Sequence, residues 1–129
     1  MVLSIWTCDS AAFYFGTNWG KKKILPSISP KKSWVGCIAG FCSTFLVFEI
    51  ANKLNVIDIS YIDVFVLSII TGIFGQAGDF AESLLKRNAG IKDSGRLLLG
   101  HGGVLDRFDS LIFASPLTFY YIYFYVDLF

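Results

Sequence analysis

Residues 34–54 read WVGCIAGFCSTFLVFEIANKL, with no charge before Glu49, and this run limits the fold more than any other feature. About 20 such residues are what an α-helix needs to cross the hydrocarbon of a bilayer. Backbone polar groups find no water there, so the expected form is a helix that satisfies them internally. Residues 61–78 and 108–129 read the same way, and the aromatic end FYYIYFYVDLF of the latter suits a membrane interface. Residues 1–16 form a shorter apolar stretch, expected to be the inner end of a further span truncated at its outer end. Composition agrees: 54% of the chain is hydrophobic and 16% charged, against about 25% charged in a soluble domain. The expected fold class is therefore all-α, a polytopic membrane helical bundle with a cytoplasmic catalytic loop region. Gly72, Gly75 and Gly78 recur every third residue, a spacing that lets helices approach closely.

Charge sets the expected topology. The net charge of +1 gives no bulk attraction to nucleic acid. Two basic loops, 17–33 and 79–107, carry five Lys or Arg each, whereas the turn near Asn55 has only Lys53 beside it. The positive-inside rule puts both basic loops in the cytoplasm and the short turn outside, with an even number of spans between the loops. Glu49 and Lys53 stand four apart and are expected to pair on the helix surface. Cys8, Cys37 and Cys42 lack metal-ligand spacing and are expected to act as small apolar residues. No cation precedes the N-terminal apolar residues and Asp9 interrupts them, so a signal peptide is not expected. An aspartate in such a segment is costly, which makes Asp9 a functional candidate.

Between the last two apolar runs lies a polar island, DFAESLLKRNAGIKDSGRLLLGHGGVLDRFD, residues 79–109. It holds ten of the chain's 21 charged residues and the only histidine, His101. If its first ten residues are helical, Asp79, Glu82, Ser83 and Lys86 share one face, with Arg87 at its edge and Phe80, Ala81, Leu84 and Leu85 on the other side. The segment GHGG lets backbone approach a ligand closely, because glycine has no Cβ. Carboxylates at both ends with cations between them suit a divalent metal and a polyphosphate. Asp79 and Asp106 are the first expected metal ligands, with Glu82, Asp93 and Asp109 behind them. Lys86, Arg87, Lys92 and Arg107 are expected phosphate ligands. Arg96 is expected to be solvated.

The same island carries a family resemblance. Ser83, Leu85, Lys86, Arg87, Lys92, Asp93, Gly95, Leu98, His101, Gly102, Gly103, Val104, Asp106, Arg107, Phe108 and Asp109 stand in the order and spacing of the phosphatidate cytidylyltransferase (CDP-diacylglycerol synthase) signature. Upstream, Asp9, Ala12, Gly16, Gly20, Lys21, Ser29, Pro30, Lys31, Lys32, Trp34 and Gly36 resemble a second block of these enzymes. Three positions depart from the pattern: Thr17 for arginine, Val35 for glutamate and Leu99 for proline. The resemblance implies transfer of CMP from CTP to phosphatidate, giving CDP-diacylglycerol and pyrophosphate, with Mg2+ as cofactor. It implies catalytic roles for Asp79, Lys86, Arg87, Lys92, Asp93, His101, Asp106, Arg107 and Asp109. Substrate contacts are implied for Asp9, Lys21, Ser29, Lys31, Lys32, Ser83, Gly102 and Gly103. The attacking phosphate oxygen is ionised near neutral pH, so His101 is expected to contact a ligand or phosphate rather than to move a proton.

The resemblance covers the C-terminal half of such enzymes, whose members usually carry further membrane helices upstream. The expected setting is therefore the cell inner membrane, among membrane lipid, with a homodimer or an upstream membrane-helix partner completing the bundle. Alone, the chain is expected to turn over little CTP. The rival expectation is an inactive or regulatory fragment that binds anionic lipid head groups through its basic loops. A transporter is a weaker third expectation, since the ionisable residues gather in loops rather than along the spans.

Overall fold

A computed structural model of the protein describes residues 1–26, 29–90 and 105–126; the side chains of Leu25, Pro30, Lys31 and residues 105–107 lie outside that description. The described elements, in chain order, are α1 (Val2–Asn18), β1 (Lys23–Leu25), β2 (Ser29–Ser33), α2 (Trp34–Lys53), α3 (Tyr61–Ile69), a π-helical turn (Ile70–Phe74), α4 (Gly75–Asn88) and α5 (Leu105–Tyr125). The fold is mostly helical, as expected. Among the described residues, two helices are long and apolar enough to cross a membrane: Trp34–Lys53, and the continuous helix Tyr61–Asn88 of 28 residues. Only 22% of the apolar window of α2 is buried within the chain. A soluble core helix would bury most of it, so this exposure fits a helix with a lipid-facing side. These features fit a membrane protein.

The first basic loop departs from the all-α expectation. Its centre is an antiparallel β1–β2 hairpin, with Lys23 opposite Ser33 and Leu25 opposite Ser29. Proline is tolerated at a hairpin edge and disfavours a helix, and Pro26 and Pro30 stand close together in this segment. Ser33 ends the hairpin and starts α2: its Oγ accepts from the Gly36 amide at 3.2 Å and donates to the Gly16 carbonyl of α1 at 3.4 Å. One hydroxyl thus caps one helix and fastens it to another.

The second basic loop also begins later than expected. Residues 79–88 continue the membrane helix as the last turns of α4. Ala, Leu, Glu, Lys and Arg are good helix formers, and the break waits for Gly90 at φ 69°.

Small residues govern the helix contacts, because apolar surface alone gives no preference for helix over lipid. A Cβ on Gly36 would lie 2.5 Å from the Ala12 carbonyl oxygen, so α1 and α2 cross backbone to backbone there. A Cβ on Gly78 would lie 2.9 Å from the Asp109 carbonyl oxygen and from Phe113 Cβ, so α4 and α5 meet at the edge of the polar island. Gly72 meets Thr44 and Phe41 of α2 instead. The three-residue glycine spacing therefore serves two different neighbours. Gly72 stands inside the π turn, whose end is marked by the Gly75 amide donating to the Ile70 carbonyl, five residues back. A π turn holds one more residue than an α turn and rotates everything that follows.

The far end of the bundle is closed by polar clips. Asn52 brackets Ile59, donating to its carbonyl at 3.0 Å and accepting from its amide at 3.4 Å. Ser60 and Asp63 form a capping box on α3. Asp63 also accepts from the Tyr121 hydroxyl of α5 at 2.7 Å. The expected Glu49–Lys53 pair is present at 3.0 Å.

Candidate functional site

At the hairpin end of the bundle, α1, β2, α2, α4 and α5 enclose a cavity of about 380 Å3. Its polar lining includes Asp9, Ser29, Lys32, Gln76, Asp79, Ser83 and Asp109. Local geometry explains the contribution of α4: Gln76, Asp79, Phe80 and Ser83 follow the i, i+3, i+4, i+7 spacing of one helix face. Phe80 is thereby corrected from the opposite side of the helix to the cavity wall. It borders the Asp79 face, only one residue further round the helix.

Three carboxylates converge here. Oxygens of Asp79, Glu82 and Asp109 all lie within 4.8 Å of one another, with Glu82 buried and the two aspartates half-buried. Two like charges at such a distance repel by about 4 kcal/mol at an effective dielectric of roughly 20. A cluster of this kind needs a cation. Lys32 supplies one: its Nζ lies 2.7 Å from Asp79 Oδ2 and 4.0 Å from the centre of the Phe80 ring. Lys86 supplies another, 3.4 Å from Glu82 Oε1 on the next turn of α4. The Ser110 amide donates to Asp109 Oδ1 at 2.6 Å and orients it. An all-oxygen, multiply anionic donor set of this size fits a hard divalent ion such as Mg2+.

Gln76 fixes the frame behind the acids. Its Nε2 donates to the Cys37 carbonyl of α2 at 3.2 Å and to Cys8 Sγ of α1 at 3.3 Å. Cys8 is buried, as a small apolar residue should be, whereas Cys42 is exposed. Sequence reasoning passed over Gln76, though one signal was available: it is an uncharged polar residue inside an apolar run, three residues before Asp79.

The expected site residues divide into groups. Asp9, Ser29, Lys32, Asp79, Ser83 and Asp109 line the cavity together. Glu82 joins through the acidic cluster and Lys86 through its pair with Glu82. Lys21 and Arg87 are exposed and stand outside the cavity lining. The side chains of Lys31, Asp106 and Arg107, and all of Lys92, Asp93, His101, Gly102 and Gly103, lie outside the described residues. So do Arg96 and Leu99. Among the described acids, Asp109 lies beside Asp79; the expectation for Asp106 falls on a side chain outside the described residues. Of the two departures within described residues, Thr17 turns its hydroxyl back to the Phe13 carbonyl at 2.9 Å, and Val35 is exposed.

Comparison with known proteins identifies the family. The chain is 41% identical over 125 residues to the phosphatidate cytidylyltransferase of Bacillus subtilis, covering 97% of this chain and 45% of that protein. It is 42% identical over 126 residues to the Haemophilus influenzae phosphatidate cytidylyltransferase, covering 95% of this chain and 43% of that one. A Staphylococcus aureus phosphatidate cytidylyltransferase is 47% identical over 119 residues, 89% of this chain and 44% of its own. The chain thus spans less than half the length of the curated relatives it matches. The sequence pattern of the cytidylyltransferase family matches residues 1–125, nearly the whole chain, and the chain belongs to that family.

Proposed function

We propose that the cavity is a cytidylyl-transfer site, in which a phosphatidate oxygen attacks the α-phosphorus of CTP, CDP-diacylglycerol forms and pyrophosphate leaves. The observation that carries this reading is the convergence of Asp79, Glu82 and Asp109, two of them on the lining of the cavity beside Lys32. Both substrates are anionic, so bringing them together is mainly a problem of charge. Asp79, Glu82 and Asp109 would hold Mg2+. When bound, that ion neutralises phosphate oxygens and stabilises charge developing on the leaving pyrophosphate.

The chain's own groups do the rest. Lys32 offers an ammonium to phosphate, and Ser29 and Ser83, both on the lining, offer hydroxyls for hydrogen bonds. Phe13 and Phe80 give the cavity apolar flanks. Lys86 adds positive charge beside Glu82, and the family pattern assigns Lys21, Lys31, Arg87, Lys92, Asp93, His101, Gly102, Gly103, Asp106 and Arg107 to the same reaction. The attacking oxygen is already ionised, so no residue is assigned as a general base. The cavity lies at the end of the bundle that carries both basic segments. Its side of the membrane is therefore the cytoplasmic one, in the inner membrane, where CTP is dissolved and the lipid substrate is embedded.

The names of the relatives favour this enzyme over a lipid-binding fragment. The discriminating experiment is CTP-dependent release of pyrophosphate by membranes carrying the protein, with and without phosphatidate. Release that requires phosphatidate and is lost in Asp109→Asn supports the proposal. Release indifferent to either would sink it.

A further inference from the structure

Resting on the reading of Asp79, Glu82 and Asp109 as the metal site, we infer that Lys32 is a tethered cation that competes with the divalent ion for Asp79 and so sets the metal affinity of the site.

Three observations carry this. The Lys32 ammonium lies 2.7 Å from Asp79 Oδ2, an oxygen of the carboxylate that joins the acidic cluster. The same ammonium sits 4.0 Å from the centre of the Phe80 ring, so it is held from two sides. The lysine is also tightly anchored: the next residue, Ser33, is buried, caps α2 and is bonded to α1. Lys32 itself is 21% exposed. Such a charge does not diffuse away when another cation arrives.

A divalent ion on Asp79 meets this ammonium as a like charge at close range. It binds fully only as Lys32 gives up the carboxylate. Asp9 is the other carboxylate on the lining outside the acidic cluster, and a polyphosphate entering the cavity offers the released ammonium a far denser anion than that single group. Lys32 therefore weakens metal binding in the substrate-free protein and joins the phosphate when nucleotide enters. Metal retention is thereby tied to occupancy by substrate.

The test is Mn2+ binding to the 129-residue chain in phosphatidylcholine nanodiscs, read by electron paramagnetic resonance without nucleotide. Lys32→Gln is expected to bind Mn2+ about tenfold more tightly than the unsubstituted chain, the lower end of what an opposite charge at this distance shifts. Lys32→Arg keeps the charge and is expected to stay weak. Phe80→Leu removes the ring from the ammonium and is expected to tighten Mn2+ about threefold, giving a second readout that does not depend on the folding of Lys32→Gln. Lys22→Gln, on the exposed side of the hairpin, reports the general field and is expected to change little. Equal affinity for the unsubstituted chain and Lys32→Gln, or an equal gain from Lys22→Gln, overturns the competition while leaving the metal site standing. Absence of binding in every form, or unchanged binding in Asp109→Asn, overturns the metal reading itself and the competition with it.

Discussion

Asp79 illustrates how much one side chain is asked to do. It pairs with Lys32, borders Glu82 and Asp109, and sits at the point where an apolar helix becomes polar. Neutralising it removes one of the three donors and releases Lys32. We expect Asp79→Asn to lower cytidylyl transfer by at least about a hundredfold, in line with loss of one electrostatic catalytic contact, while the protein still inserts in the membrane. Near-normal turnover at limiting Mg2+ would remove Asp79 from the site. Tyr121 is the counter-case. Its hydroxyl donates to Asp63 at the opposite end of the bundle. Tyr121→Phe should cost about 1 kcal/mol of stability, the worth of an ordinary hydrogen bond, and leave turnover alone. A thermal melt and a turnover assay on the same preparation read both quantities.

At the scale of elements, the site depends on how helices are phased and seated. The π turn Ile70–Phe74 sets the rotation of Gln76, Asp79 and Ser83 relative to α3. Inserting one alanine after Phe74 should turn that face by roughly 100° relative to α3. Circular dichroism should then stay helical while Mn2+ binding is lost; retained binding would show that the phase set at the π turn is incidental. Gly78 seats α5 against α4, and a side chain there meets the backbone of Asp109 and the side chain of Phe113. Gly78→Val should destabilise the protein by about 1–3 kcal/mol, the usual cost of overpacking, and weaken metal binding as well, since α5 carries Asp109. The apolar runs made the helices legible in the sequence, and the glycine spacing announced close contacts. The π turn was not legible, because ITGIF is compatible with either helix. The hairpin was hidden too. Its strands are three and five residues long, and the polar loop composition masked them.

For the molecule as a whole, sequence reading found the two ends of the site but not its closure. Asp79 and Asp109 are thirty residues apart, and the packing of α4 on α5 joins them. Lys32 comes from a different segment again, and only the Ser33 anchor brings it to Asp79. Periodicity within one helix contains no information about such long-range contacts, whereas the face shared by Gln76 and Phe80 is legible in the spacing once Gln76 is counted with Asp79 and Ser83. The proposed topology puts both basic segments on one side, since α2 and the apolar part of the helix Tyr61–Asn88 lie between them in the chain. In a chain freed of native cysteines, Ser94→Cys should react with an impermeant thiol reagent only from the cytoplasmic side, and Asn55→Cys only from the other. The reverse pattern would invert the site relative to CTP. The central claim is that this chain brings the cytidylyl-transfer residues together, and one measurement addresses it most directly. The chain is joined behind the segment of the Bacillus subtilis enzyme that it does not cover, and CDP-diacylglycerol formation from CTP and phosphatidate is followed in membranes. The account predicts metal-dependent product from this chimera and its loss in Asp79→Asn and Asp109→Asn; a correctly inserted chimera that forms no product, or forms it equally well with both substitutions, would contradict it.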